Sequence, residues 1–253
     1  MRGGGRMELT EDRFLGGRLV LRQPREGYRA GVDPVFLAAA TPARAGQSVL
    51  DLGCGAGAAM LCLAARVPGA RLVGVERQAA YAALARANAS ANGIAAEVVT
   101  ADLTLLPPEV KQQRFDHVIM NPPYHLPARA TASADPGRGA ALFEETPLAA
   151  WIDAATRRLK HRGRLTVIQK AERLPEILAG IDARLGAVAV RPLQPRAGRA
   201  AALVLVQARK GARAPFRLAP PLVLHEGAAH QGDRESYRPE VSEILREAAP
   251  LTL

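Results

Sequence analysis

The sequence predicts one doubly wound α/β domain on a mostly parallel sheet, and three observations carry that expectation. Short apolar runs alternate with longer helical patterns from residue 47 to residue 184, the rhythm of βαβ units. A glycine-rich turn, Gly53-Cys54-Gly55-Ala56-Gly57, joins the first run to the first helix. The 253 residues are 48% hydrophobic and 23% charged, a balance that supplies a full core for one domain of this size.

The elements follow in order. Residues 13–30 read as turns and short extended pieces, broken by Gly16-Gly17, Pro24 and Gly27. Asp33-Pro34 then opens a helix over residues 35–40, with Asp33 as N-cap and Pro34 at the first position. Strands are expected at residues 48–52, 71–76, 96–101, 115–120, 164–169, 188–190 and 202–207. Helices are expected at 58–66, 78–92, 147–160 and 174–184. No helix separates the last two strands, so the final one is expected to return antiparallel as a hairpin arm, completing seven strands with helices on both faces. The stretch 192–200, rich in Arg, Gly and Pro, reads as a surface linker. Residues 126–145 break the rhythm and form an insertion of the kind that is usually functional or disordered. After Gly211 prolines exclude a long helix until Pro239, which suits a first helical turn. The chain thus divides into an N-terminal covering segment (1–46), the α/β core (47–211) and a tail packed on it (212–253).

Composition narrows the function classes. No apolar run is long enough to span a bilayer, and the first residues lack the apolar segment of a signal peptide, so a cytoplasmic protein with no membrane partner is expected. Two cysteines, Cys54 and Cys62, exclude a disulfide framework and a four-ligand zinc site, and no metal is expected. The net charge of +10 rests on arginine, with lysine only at Lys111, Lys160, Lys170 and Lys210. Arginine grips phosphate and stacks on bases, which points to a nucleic-acid partner, although a biased genome yields the same composition.

The glycine turn lies where a strand ends and a helix begins. Gly53 and Gly55 permit a tight turn with backbone amides close to a ligand, and Gly57 permits close helix packing. Such a turn alone also serves dinucleotide enzymes. Three carboxylates discriminate. Asp51 ends the first strand, where it repels a pyrophosphate and suits an amino group. Glu76, 19 residues after Gly57, ends the second and can accept two ribose hydroxyls. Asp102 follows the third and can accept an adenine amino group. Each singly could be a helix cap; together at one sheet edge they read as a site for S-adenosylmethionine.

The fourth strand runs into Met120-Asn121-Pro122-Pro123-Tyr124. A ring-conjugated amino nitrogen is a poor nucleophile. The side-chain oxygen of Asn121 and the carbonyl of Pro122 can each accept one of its N–H bonds and favour its pyramidal form. Tyr124 offers a flat face for an extruded base. Because the proton leaves after the transferred group arrives, no strong base is needed, and neither His125 nor Cys54 is given a catalytic role.

With Asp51 to Gly57, Glu76 and Asp102, the chain resembles the class I methyltransferases, which implies the Rossmann-like seven-stranded fold with an antiparallel last strand. Asn121 to Tyr124 resembles the motif of enzymes that methylate amino groups of DNA adenine, RNA bases or a protein glutamine. The opening, Gly16-Gly17-Arg18-Leu19, Gln23-Pro24 and Gly27 to Pro34, together with Trp151, looks like the bacterial tRNA adenine-N6 methyltransferases. That resemblance implies catalytic roles for Asn121, Pro122 and Tyr124. It also implies a cofactor site of Asp33, Asp51, Gly53, Gly55, Gly57, Glu76, Asp102 and Asn121, with the 28–33 segment folded over it. Asp33 then touches the methionine end, serves as helix cap, or does both. RNA, specifically a tRNA anticodon loop, is the expected partner, held by Arg129, Arg138, Arg191, Arg196 and Arg199. Rivals are methylation of a ribosomal RNA guanine or a protein glutamine, and a non-enzymatic RNA-binding protein with an idle pocket. Only 50 residues precede Asp51, too few for the helical domain expected of release-factor methyltransferases.

Overall fold

A computed structural model of the chain describes residues 8–124, 146–227 and 236–253. The insertion at 126–145, with His125, Arg129 and Arg138, lies outside these residues.

Nine strands form the main sheet. Those of its centre are β3 (Ser48–Leu52), β4 (Arg71–Glu76), β5 (Ala96–Thr100), β6 (Phe115–Met120), β7 (Leu159–Lys170), β8 (Leu185–Gln194) and β9 (Leu203–Lys210). They stand in the order β8-β9-β7-β6-β3-β4-β5. β9 runs antiparallel between β7 and β8, and the other neighbouring pairs of this centre are parallel. This is the doubly wound, mostly parallel order the sequence predicts, and the seven expected strands are its centre. Two short strands in the tail, β10 (Arg217–Leu218) and β11 (Leu222–Val223), extend it along the outer side of β8.

The expected surface linker at 192–200 holds at 197–200, which are exposed outside the strands, and is corrected at 192–194, which belong to β8. The strand continues through Pro192 to Gln194, because β10 has ended at Val190 and β11 begins at Leu193. Pro192, which has no N–H to give, falls in the gap between them.

Strand side chains alternate between two cores. Val49, Leu72, Ile119, Ile168 and Leu205 face one side; Leu50, Val73, Val118, Val167 and Val206 face the other, the period of two that a pleated strand imposes. On the first side lie α1 (Asp33–Ala40), α2 (Ala58–Arg66), α3 (Ala79–Ala91) and the C-terminal α7 (Pro239–Glu247), through residues such as Phe36, Leu61, Ala85 and Ile244. On the second lie α4 (Pro108–Lys111), α5 (Leu148–Arg158) and α6 (Leu174–Gly180), through Val110, Ile152 and Ile177. The Arg66 guanidinium donates to the carbonyls of Ala38 and Thr41, a cation at the carbonyl end of α1. Helix α6 ends at Gly180, short of the expected residue 184.

The turns and short extended pieces expected at 13–30 are joined into an antiparallel ribbon, β1 (Leu9–Phe14) with β2 (Leu19–Pro24), whose first strand begins before that stretch. Two asparagines one helical turn apart, Asn88 on α3 and Asn92 at its C-cap, meet the backbone of β2. Asn88 Oδ1 accepts from the Arg22 amide at 2.8 Å and its Nδ2 donates to the Arg22 carbonyl at 3.0 Å. Asn92 repeats the pair with Val20 at 3.0 and 2.9 Å. These amides finish one side of an edge strand that would otherwise present unpaired groups. Among the described residues no helix is long and apolar enough to cross a membrane.

Candidate active site

β3 pairs with β4 on one side and β6 on the other, so the chain order reverses at its carboxyl end, where open α/β sheets bind ligands. A crevice opens there. Its wall includes Asp51, Gly53, Gly55, Glu76, Asp102, Asn121, Pro122 and Tyr124, brought from four strand ends. Tyr28, from the 28–33 segment expected to cover the cofactor, lines it with Tyr81 and Trp151.

The glycine turn is shaped for this place. Gly53 has φ +70°, and a Cβ on it would stand 2.6 Å from Cη2 of Trp151, so only glycine fits. A Cβ on Gly55 would meet only Tyr28 Cε1, at 4.0 Å. Gly57, at φ +90°, brings α2 onto Ala85 of α3, as expected from the sequence, and does not line the crevice.

The carboxylates differ in their commitments. Asp51 takes a backbone hydrogen bond from Met60, while its Oδ2 is buried with no partner among the described residues. Burial, with a smaller push from the nearby Glu76, raises its carboxyl to about 8; a cation in the crevice would relieve both effects. Glu76 accepts from the Gly55 amide at 2.9 Å and the Gln78 amide at 2.8 Å, fastening the glycine turn to β4 and leaving further lone pairs on each oxygen. Burial raises it as well. Asp102 Oδ1 caps a short turn, accepting from the Thr104 amide at 2.8 Å and hydroxyl at 2.6 Å; these bonds hold its carboxyl below the usual range. It is both a cap and a wall of the crevice.

Asn121 follows β6 directly, with its polar atoms divided. Nδ2 donates to the Tyr28 hydroxyl at 3.3 Å, and Oδ1 is buried without a partner among the described residues. Tyr28 is held in turn by Tyr81, whose hydroxyl accepts from the Tyr28 amide at 3.0 Å and donates to its carbonyl at 3.2 Å. Gln23 fixes the same segment, bonding both the amide and the carbonyl of Ala30 at 2.7 and 3.3 Å.

Asp33 corrects one expectation. Val32 occupies the N-cap of α1, with no side-chain capping bond, and Asp33 is the first helical residue. Its carboxylate instead receives the Tyr124 hydroxyl and does not line the crevice. Burial, then the Asp33 charge, keeps the Tyr124 phenol protonated.

Sequence reasoning missed the support beneath Asn121 to Tyr124. Gln169 of β7, fully buried, donates to the Pro122 carbonyl at 3.2 Å and leans on that of Pro123 at 3.4 Å. Arg173 donates to the Pro123 carbonyl at 3.2 Å and pairs with Glu176. A lone amide ending the apolar run Leu165 to Ile168 was the available signal. Of the arginines expected to hold RNA, Arg191 donates to the Pro220 and Thr252 carbonyls and Arg196 to Glu226, Gly227 and Ser236. Both tie down the tail; Arg199 is exposed. Burial keeps the Cys54 thiol protonated, and among the described residues no group of three His, Cys, Asp or Glu side chains could hold a metal.

Comparison with known proteins shows the family of the chain. The model of the methyltransferase small domain matches residues 31–190. A tRNA1(Val) (adenine(37)-N6)-methyltransferase of Porphyromonas gingivalis is 35% identical over 178 residues, 67% of this chain and 69% of that protein. A ribosomal RNA small subunit methyltransferase C of Salmonella choleraesuis is 40% identical over 101 residues, 40% of this chain and 28% of that protein. Among solved structures, a predicted O-methyltransferase of Agrobacterium tumefaciens superposes with a TM-score of 0.69 at 28% identity, over 87% of this chain and 99% of that one. The chain belongs to the methyltransferase small domain family.

Proposed function

We propose that the chain transfers a methyl group from S-adenosylmethionine to the exocyclic N6 of an adenine in tRNA. The cofactor is S-adenosylmethionine, whose sulfonium supplies an electrophilic methyl group when bound. The residues fit it: Asp51 offers an unpartnered buried oxygen to an amino group, Glu76 keeps lone pairs for ribose hydroxyls, and Asp102 lines the wall where an adenine would lie.

One observation carries the choice of an amino nitrogen. Asn121 has spent its donor on Tyr28 and keeps its acceptor buried and unpaired. A buried carbonyl oxygen left so awaits a donor, and an amine N–H is one. The Pro122 carbonyl beside it retains a second lone pair after accepting from Gln169. Two acceptors on one amine hold its lone pair out of the ring, and the locked prolines leave little ordering to be done on arrival. Tyr124, pinned through its hydroxyl to Asp33, presents its ring as the stacking surface. No group at Asn121 acts as a strong base, and the proton passes to solvent after transfer.

The relatives named for tRNA and for ribosomal RNA support an RNA substrate, and the longer match to the former favours tRNA. Methylation of a ribosomal RNA base is the second reading, favoured by the higher identity of the shorter match. The test is incubation with labelled S-adenosylmethionine and bulk tRNA from a strain lacking the gene, followed by nucleoside mass spectrometry. N6-methyladenosine in tRNA is expected; label confined to ribosomal RNA or protein overturns the substrate and keeps the transferase.

A further inference from the structure

At the amino ends of the parallel strands, on the far edge of the sheet from Asn121, three adjoining cavities that share Arg162, Arg164 or Arg209 form a groove, lined also by Arg44, His117 and Phe216. The arginines here are arranged at a cost. Arg164 of β7 and Arg209 of β9 are direct cross-strand partners, a placement in which like charges repel. Arg162 has φ +64°, a left-handed backbone that is rare for a residue with a side chain. It sits in an irregular stretch of β7 where the register to β6 slips between Phe115 and His117, and strain of this kind gathers at functional positions.

None of Arg44, Arg162 and Arg164 makes an ion pair with a described residue, and among the described residues Arg209 donates to the Arg162 carbonyl alone, at 3.2 Å. The carboxylate in the groove wall, Asp116, is committed to Lys160 at 2.8 Å and to Ser48. Arg217 is likewise committed, to the Leu253 main-chain oxygen. His117 uses Nε2 on Gln47 at 3.1 Å, and its buried Nδ1 has no partner among the described residues. Beside the cations stand exposed apolar side chains, Phe216 at 55% and Leu218 at 63%. Free guanidinium groups next to an exposed aromatic ring are the combination that holds unpaired nucleic acid, by phosphate contact and base stacking.

We propose that this edge is a second RNA-contacting surface, on which Arg44, Arg162, Arg164 and Arg209 take backbone phosphates and Phe216 stacks an unpaired base. A strand of six residues such as β6 spans about 20 Å. The groove therefore cannot hold the nucleotide bound at Asn121, and it grips a distant part of the same RNA. This rests on the reading that the substrate is RNA.

The test measures binding of labelled bulk tRNA by fluorescence anisotropy across a salt series, for the wild type and for the triple variant Arg162→Gln, Arg164→Gln, Arg209→Gln. Binding is expected to weaken about tenfold or more, and the slope of log K against log salt to shrink by roughly two to three, one contact at a time. S-adenosylmethionine affinity should be unchanged. The single variant Arg162→Gly removes the backbone strain, so weaker RNA binding there cannot be ascribed to misfolding. Phe216→Ala should lower affinity without altering the slope. Identical affinity and slope in the triple variant overturn the proposal. Failure of the functional reading looks different: the wild type binds tRNA through this groove, yet no methyl group enters tRNA.

Discussion

Asn121 gives an amide hydrogen to Tyr28 and keeps its oxygen for the substrate, so substitution there separates chemistry from binding. Asn121→Ala should reduce turnover by roughly two orders of magnitude or more, the scale seen when a single preorganised polar group is removed from a reacting centre. Cofactor affinity should change little, since Asp51 and Glu76 are untouched. Single-turnover rates and equilibrium dialysis on the same preparation check both halves. A variant with wild-type rate would remove Asn121 from the mechanism. The same residue shows what one sequence reveals. An asparagine between a strand and two prolines is legible as chemistry, because few structural roles require it. Its partner Tyr28 sits 93 positions away, and no local pattern links the two.

At the scale of elements, the loop carrying Asn121 is held from below by β7 and the turn after it. Gln169→Leu keeps the volume and removes the donor to the Pro122 carbonyl. An unpaired buried carbonyl costs about 1–3 kcal/mol, and the loop can recover part of that by shifting. A fall of about tenfold or more in kcat is expected with the fold retained, read by steady-state kinetics beside circular dichroism. Unchanged kcat would mean that the two prolines alone fix the loop. The central strands and α2 were legible at this scale, since their apolar runs are bounded by clear breakers. The ribbon β1–β2 was not, because its edge is completed by Asn88 and Asn92 from a helix rather than by a neighbouring strand. Asp33 misread as a cap has a similar cause: an acid before a proline at a helix start fits a cap, and only the folded chain brings Tyr124 to it.

For the whole molecule, the buried acids of the crevice set a pH dependence. Folded, Asp51 holds its proton up to about 8, against 3.8 when exposed, so between these values the folded state binds more protons and stability falls as pH rises. His117, lowered by burial to about 4 from 6.5, acts oppositely, its stability being lost as pH falls below 6.5. Between pH 6.5 and 8, where His117 is neutral in both states, the cofactor-free protein should lose about 2 kcal/mol from Asp51. Asp51→Asn should flatten that dependence and raise Tm at pH 8 while weakening S-adenosylmethionine binding. Thermal unfolding against pH decides, and an unchanged profile would show that Asp51 is ionised in the free protein.

By itself the sequence determined the alternation of strands and helices, the glycine turn with its acids at successive strand ends, and the Asn-Pro-Pro-Tyr loop. These are signals of short range, set by side-chain periodicity and by residues whose chemistry admits few roles. Tertiary structure alone decided which oxygens stay unpaired, that Gln169 and Arg173 brace the loop, that Arg191 and Arg196 are spent on the tail, and that Arg164 faces Arg209 across two strands. Each depends on contacts between residues far apart in the chain, whose distances are set by packing and not by local sequence.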